Sequence, residues 1–241
     1  MISTIKVPAR ERVIVALDVP DLGTMQAYLD RLGGAPRFYK VGLELFIAEG
    51  ERAIDEVQKR EGRVFLDLKL HDIPETVARA VTAAAKRQVE FLTVHTAGGY
   101  EMLHRAAEAA NAAGNLKLLG VTVLTSLVDE DLRADNIAVG ISEQVQSRAR
   151  VAAKAGLAGL VCSPHETVAA HRAAPGLCLV VPGVRPAGAA KGDQKRVATP
   201  GEAVSGGADY LVIGRPLRDA ADPAAAFAAV VGEVEAAVAN R

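Results

Sequence analysis

The chain has 241 residues, half of them hydrophobic, and its 28 basic and 29 acidic side chains leave a net charge of -1. This length is sufficient for a full hydrophobic core, and no linker or charge run divides it, so we expect one domain over residues 1–241. The near-neutral balance offers no basic face for a nucleic acid or an anionic membrane, so an anionic ligand must be held by local groups.

Targeting and cysteine signals are weak in this sequence. The apolar stretch near the N-terminus is too short for a signal peptide, and no run of about 18 apolar residues could span a membrane. Cys162 and Cys178 lie in or beside apolar runs, without the spacing of a zinc site or a disulfide framework. We therefore expect a cytoplasmic protein whose cysteines fill the core.

Along the chain, short apolar or β-branched runs alternate with longer stretches of helical period, which is typical of repeated βα units around a parallel sheet. Eight strands in a chain of this length favour a single (β/α)8 TIM barrel over an open doubly wound sheet, which usually has fewer strands and a Gly-rich first turn. An apolar face on Pro223–Val238 predicts the closing helix. The predicted strands are Val13–Leu17, Phe38–Val41, Val64–Leu68, Phe91–Val94, Leu118–Val123, Gly159–Val161, Leu177–Val181 and Tyr210–Ile213.

The densest group of charges follows the third predicted strand, in the segment DLKLHDIPETV from Asp67 to Val77. Because alternate residues of a strand share a face, Asp67 and Lys69 are expected side by side, with Asp72 in the loop just beyond. Burying three ionisable groups at the edge of a sheet costs desolvation free energy, unless a ligand or the opposite charges within the group compensate for it. A buried three-charge network contributes little to stability alone, so the segment indicates a site for chemistry rather than a structural salt bridge.

Other polar residues end or follow the remaining predicted strands, where the active sites of TIM barrels form. Taken singly, each has a simpler explanation: a hydrogen-bonded strand end, a lysine whose ammonium reaches solvent, or an arginine on the surface. Their common position on one rim argues against those explanations. The last two loops commonly hold phosphate in this fold, so a phosphorylated substrate is predicted. The rim residues are Asp18, Lys40, His95, Thr125, Ser126, Arg185, Gln194, Gly214 and Arg215.

Six segments in order across nearly the whole chain resemble the orotidine 5'-phosphate decarboxylase family. They are VALDV, FYKVGLELF, DLKLHDIPETV, VTVLTS, PGVRP with the following GDQKR, and VIGRP. The resemblance implies conversion of orotidine 5'-phosphate to uridine 5'-phosphate (UMP) and carbon dioxide, the last step of de novo UMP synthesis, with neither a metal nor an organic cofactor.

The resemblance also implies roles for single residues. Lys40, Asp67, Lys69 and Asp72 correspond to a catalytic charged array in which Lys69 donates the proton, and a homodimer is implied in which Asp72, Ile73 and Thr76 reach the partner subunit's site. Lys40 and Asp67 are assigned to substrate binding as well. Asp18 would bind the ribose, and Thr125 or Ser126 the pyrimidine edge. The phosphate region would comprise Arg185, Gln194, Gly214 and Arg215.

The implied chemistry fits these residue types. Loss of carbon dioxide leaves negative charge on ring carbon C6, and an ammonium at Lys69 could both stabilise this carbanion and protonate it. Three other functions stay open: a magnesium-dependent sugar-phosphate decarboxylase or aldolase, a non-catalytic barrel that binds a phosphorylated ligand, and a nucleic-acid or scaffold protein. Lysines beside the acids argue against the first, the charge array against the second, and the missing basic face against the third.

Overall fold

A closed barrel of eight parallel strands forms the centre of the computed structural model, which describes residues 7–186 and 198–240. The strands follow one another around the barrel in chain order, and the last pairs with the first. This confirms the predicted (β/α)8 TIM barrel. The strands are β1 Val13–Ala16, β2 Phe38–Gly42, β3 Arg63–Leu70, β4 Phe91–His95, β5 Lys117–Val121, β6 Gly159–Val161, β7 Cys178–Val181 and β8 Tyr210–Ile213.

Helices connect the strands and bury one face each. The closing helix is confirmed, with Phe227, Val230 and Val234 buried. In the described residues, no helix is both long and apolar enough to cross a membrane. The helices are α1 Ala9–Arg12, α2 Leu22–Leu32, α3 Leu43–Glu49, α4 Glu51–Lys59, α5 Pro74–Lys86, α6 Gly99–Ala113, α7 Asp129–Ala134, α8 Ile141–Ala155, α9 Thr167–Ala173, α10 Pro200–Ser205, α11 Arg215–Arg218 and α12 Pro223–Ala239, with 3₁₀ turns at Thr96–Gly98 and Pro164–Glu166.

Two strands, β6 and β8, have the predicted ends, and the ends of the other six differ by at most two residues. The fifth strand was expected to reach Val123, but β5 ends at Val121 because its neighbour β6 ends at Val161 and offers no further ladder. The third strand is longer than expected and continues to Leu70. These limits depend on the length of the neighbouring strand, which the local sequence does not encode.

A layer of aromatic rings fills the interior of the barrel. The Phe91 ring packs edge to face against Phe38 at 5.0 Å and against Tyr210 at 5.2 Å between centroids. Alternate residues of a strand point to the same face, so the residue two positions after each inward ring also points inward, nearer the C-terminal rim. The fold thereby places polar side chains on top of an apolar floor.

Both cysteines are buried thiols. This agrees with the expectation that they fill the core.

Candidate active site

The polar layer above the aromatic floor comes from β2, β3 and β4. Lys40 follows Phe38, Asp67 follows Phe65, and Thr93 follows Phe91, each by two residues. Lys40, Asp67 and Thr93 are all buried, with 8%, 9% and 0% of their surface exposed. Charged groups this deep require partners, because water cannot solvate them.

Four side chains form a continuous chain of charge. Lys40 Nζ lies 2.8 Å from Asp18 Oδ1 and 3.6 Å from Asp67 Oδ2. Lys69 Nζ lies 3.0 Å and 2.9 Å from the two oxygens of Asp67. The predicted proximity of Asp67 and Lys69 is therefore observed, and Asp18 and Lys40 extend the cluster to β1 and β2.

The cluster keeps Asp67 and Lys40 ionised. Burial by itself would raise the pKa of Asp67, but the ammonium groups of Lys40 and Lys69 outweigh it and hold that pKa below its usual range. Burial would likewise lower the pKa of Lys40, but Asp67 and Asp18 raise it above its ordinary value. The site thus presents fixed, alternating charges near neutral pH.

Gly42 allows Lys40 and Asp18 to meet. A Cβ atom at this position would stand 2.8 Å from Lys40 Nζ and 2.9 Å from Asp18 Oδ1. Real Cβ atoms do not approach polar atoms so closely, so any side chain here would displace the ion pair. The glycine of the FYKVG segment is explained by this close approach.

The backbone of Lys69 departs from regular strand geometry, which corrects the reason predicted for its proximity to Asp67. Its φ of 50° is left-handed, and β3 shifts register against β4 between Leu66 and Leu70. Simple alternation along a straight strand is therefore not what brings Lys69 to Asp67. A bulge aims the lysine instead, and its backbone N–H donates to Thr93 Oγ1 at 2.8 Å.

Asp72, Ile73 and Thr76 lie outside the cluster within this chain. All three are exposed, and the Asp72 carboxylate accepts the backbone N–H of Ile73 at 2.6 Å. Over residues 7–186 and 198–240, no ion pair joins Asp72 to a lysine or an arginine of the same chain. The structure does not bring these three residues to Lys69. They lie at the outer edge of the charge cluster.

A cavity of about 410 Å³ opens above the charge cluster. It contains most of the site residues predicted from the sequence, including Thr125, whereas Ser126 is exposed beside it. Arg185 is buried, with 7% of its surface exposed. Gln194 lies outside the described residues. The predicted residues that line the cavity are Asp18, Lys40, Asp67, Lys69, Thr125, Arg185, Gly214 and Arg215.

Sequence reasoning missed three residues here. Glu44 and Arg218 line the cavity, and Arg218 also donates to the backbone carbonyl of Asp18 at 2.9 Å. Thr93 Oγ1 donates to Asp67 Oδ1 at 2.9 Å. Each had a signal in the sequence: Glu44 lies in the first turn of the helix after β2, Arg218 ends the short helix after β8, and Thr93 interrupts an apolar strand two residues before His95.

His95 ends β4 beside the cluster. Its ring stacks on His71 with 5.5 Å between centroids, and its Nδ1 accepts the backbone N–H of Ala97. Burial lowers the pKa of His95 to about 4, and the positive charges of Arg148 and Lys69 act in the same direction. The ring is therefore neutral at neutral pH.

The lowered pKa of His95 predicts a pH dependence of stability. The unfolded chain binds this proton near pH 6.5 and the folded chain only near pH 4, so the stabilisation is present above 6.5 and is lost as the pH falls through 4. Allowing for partial solvent screening, we expect the free energy of unfolding to fall by about 1–2 kcal/mol from this group. Urea unfolding from pH 7 to pH 4 should show a shallower decline in His95→Gln, and identical slopes would contradict the assignment.

Comparison with known proteins places this geometry in a family. The model of the orotidine 5'-phosphate decarboxylase / HUMPS family matches residues 11–230. A relative named orotidine 5'-phosphate decarboxylase from Rhodopseudomonas palustris (strain TIE-1) is 48% identical over 236 residues, 97% of this chain and 98% of its own. Another from Anaeromyxobacter sp. (strain K) is 53% identical over 222 residues, 91% of this chain and 96% of its own.

A solved structure supports the same placement. The crystal structure of orotidine 5'-phosphate decarboxylase from Lactobacillus acidophilus matches with a TM-score of 0.82 and 37% identity, covering 93% of this chain and 99% of that chain. Sequence and fold agree over nearly the full length. The chain therefore belongs to the orotidine 5'-phosphate decarboxylase / HUMPS family.

Proposed function

We propose that the chain decarboxylates orotidine 5'-phosphate to UMP and carbon dioxide, the last step of de novo pyrimidine synthesis. The observation that carries this proposal is the Asp67–Lys69 pair, 2.9 Å apart at the floor of a cavity that Arg215 also lines. Relatives about half identical to the chain bear the name of this activity. The enzyme is accordingly a carboxy-lyase.

Lys69 would perform the central step. Cleavage of the bond between C6 and the carboxylate releases carbon dioxide and leaves the electron pair on C6. The Lys69 ammonium stabilises that developing charge and then donates its proton to C6, after which solvent reprotonates the amine. About a third of the Lys69 side chain is exposed, at 31%, so it reaches the cavity while Asp67 holds its position.

Asp67 contributes mainly by fixing the lysines. A substrate carboxylate about 4 Å from a bare Asp67 would be repelled by roughly 4 kcal/mol at an effective dielectric of 20, about three powers of ten in rate. Here two ammonium groups already balance the Asp67 charge, so repulsion is weaker than that. Electrostatic stabilisation by Lys69 therefore supplies the larger share.

The rest of the cavity would bind the nucleotide. Asp18, just after β1, and Lys40, within β2, lie 2.8 Å apart, and we assign the ribose hydroxyls to this pair. Thr125 lines the cavity and is the better candidate than Ser126 for the pyrimidine edge. The phosphate would be held by Arg185, Gln194, Gly214 and Arg215.

Arg215→Ala tests the phosphate assignment. Loss of a charge-assisted contact to the phosphate should lower kcat/KM by about 10- to 100-fold, and part of the loss should be in kcat because remote binding energy also orients the reacting ring. Steady-state kinetics with orotidine 5'-phosphate measures this effect. Arg172→Ala, which removes an exposed arginine of α9, should be silent, and an unchanged efficiency in Arg215→Ala would reject the assignment.

A homodimer with shared sites belongs to the proposal. Ile73 keeps 67% of its surface exposed, so its apolar side chain is accessible to a second surface. It adjoins Asp72, whose carboxylate faces outward in this chain, and Thr76 lies in the next turn. We assign these three residues to the partner subunit's site.

Compartment and domain organisation complete the proposal. Two buried cysteine thiols suit a reducing compartment, and the sequence predicts a cytoplasmic protein, so we assign the enzyme to the cytoplasm. We interpret residues 1–241 as one domain, since the barrel and the family match together occupy nearly all of it.

Product analysis tests the function directly. Incubation with orotidine 5'-phosphate should yield UMP and carbon dioxide in equal amounts, measured by chromatography and by trapped gas. Turnover of a sugar phosphate but not of this nucleotide would support a related decarboxylase or aldolase instead. Tight binding of UMP without turnover would support a non-catalytic barrel.

A further inference from the structure

Thr93 contacts both the carboxylate of Asp67 and the backbone N–H of Lys69. The Thr93 side chain is fully buried, and its hydroxyl donates to Asp67 Oδ1 at 2.9 Å. Thr93 Oγ1 also accepts a hydrogen bond from the backbone N–H of Lys69 at 2.8 Å. One hydroxyl on β4 therefore joins two points of β3. It does so at the register shift between those two strands.

The backbone of Lys69 needs such a contact. A left-handed φ of 50° is unfavourable for a lysine and persists only when surrounding groups fix it. The N–H at this bulge is turned toward the Thr93 hydroxyl. Without that acceptor, a partly buried donor would lose its protein partner.

We propose that Thr93 is a positioning residue, which holds the bulge that aims Lys69 and fixes the carboxylate that Lys69 contacts. This inference rests on the proposed function, since it concerns the residue assigned as proton donor. Thr93 does not line the cavity. Its effect on catalysis passes through Asp67 and Lys69, and it should change the chemical step more than substrate binding.

Thr93→Val removes the hydroxyl and keeps the shape of the side chain. We expect kcat for orotidine 5'-phosphate to fall by about 10- to 100-fold, the effect of losing a buried hydrogen bond to a charged group. KM should stay within about threefold, because the phosphate and ribose contacts are untouched. Thr93→Ser restores the hydroxyl and should recover kcat to within about threefold of the original chain.

Thr122→Val is the matched control. Thr122 is equally buried, and its hydroxyl donates to a backbone carbonyl, that of Val161, at 2.9 Å. Its removal should lower the melting temperature without lowering kcat. If Thr93→Val keeps kcat within about twofold, or if Thr122→Val lowers kcat as much, the positioning role is wrong. Should Thr93→Val fail to fold, Thr93→Ala takes its place.

A crystal structure of the Thr93→Val chain separates this inference from the proposed function. The inference predicts that Lys69 Nζ moves away from the 2.9–3.0 Å contacts with Asp67, whichever substrate the enzyme turns over. An unchanged Lys69 conformation overturns the inference even if orotidine 5'-phosphate is the substrate. Absence of turnover in the original chain overturns the proposed function and leaves the structural prediction to be decided by that crystal structure.

Discussion

Lys69→Ala is expected to lose nearly all turnover of orotidine 5'-phosphate while still binding UMP. The substitution removes both the ammonium that stabilises the carbanion and the proton donor. Together these effects should lower kcat by about 10⁴-fold or more. Initial rates measure the loss, and calorimetric titration with UMP should show a Kd within about tenfold of the original, because the phosphate and ribose groups are unchanged.

Lys86→Ala provides the control for that prediction. Lys86 is an exposed lysine in the last turn of α5, and it forms no part of the charge cluster. Its substitution removes the same charge and should leave kcat unchanged. Near-normal turnover in Lys69→Ala would show that another group donates the proton.

A mixture of Lys69→Ala and Asp72→Ala subunits is expected to regain activity that neither has alone. If Asp72 acts in the partner's site, a hybrid dimer contains one site with both substitutions and one with neither. Random exchange makes half of the dimers hybrid, so about one quarter of the original activity should return. Assays before and after verified subunit exchange measure the recovery.

A second mixture guards against recovery from other causes. Asp67 and Lys69 lie 2.9 Å apart within one chain, so hybrids of Asp67→Ala and Lys69→Ala subunits contain no intact site. That mixture should stay inactive. If the Asp72 mixture also stays inactive after exchange, Asp72 does not act across an interface.

The barrel follows from the sequence because it depends on a repeated pattern. Eight apolar runs separated by helical periods fix the number of strands, and each predicted strand overlaps an observed one. The rim position of Asp18, Lys40, Asp67 and Arg215 follows from the same pattern, since residues at strand ends must meet at one end of a barrel. For the number of strands and for these rim residues, the local sequence predicts the arrangement that the fold shows.

The finer geometry depends on contacts between strands. The left-handed conformation of Lys69 arises from a register shift against β4, and nothing in the DLKL segment itself predicts it. Thr93 gains its role only because β4 lies beside β3. Asp72 forms no ion pair with a lysine or arginine in the described part of its own chain, so the role proposed for it depends on a second copy that the sequence of one chain cannot position.

The most direct test is the absorbance of orotidine 5'-phosphate during incubation with the enzyme, with and without EDTA. The charge cluster predicts that the absorbance falls as UMP forms and that the rate is the same in both samples. A lysine on each side of Asp67 already supplies the positive charge that a metal cation would bring. No loss of absorbance, or a loss that EDTA abolishes, would contradict this account.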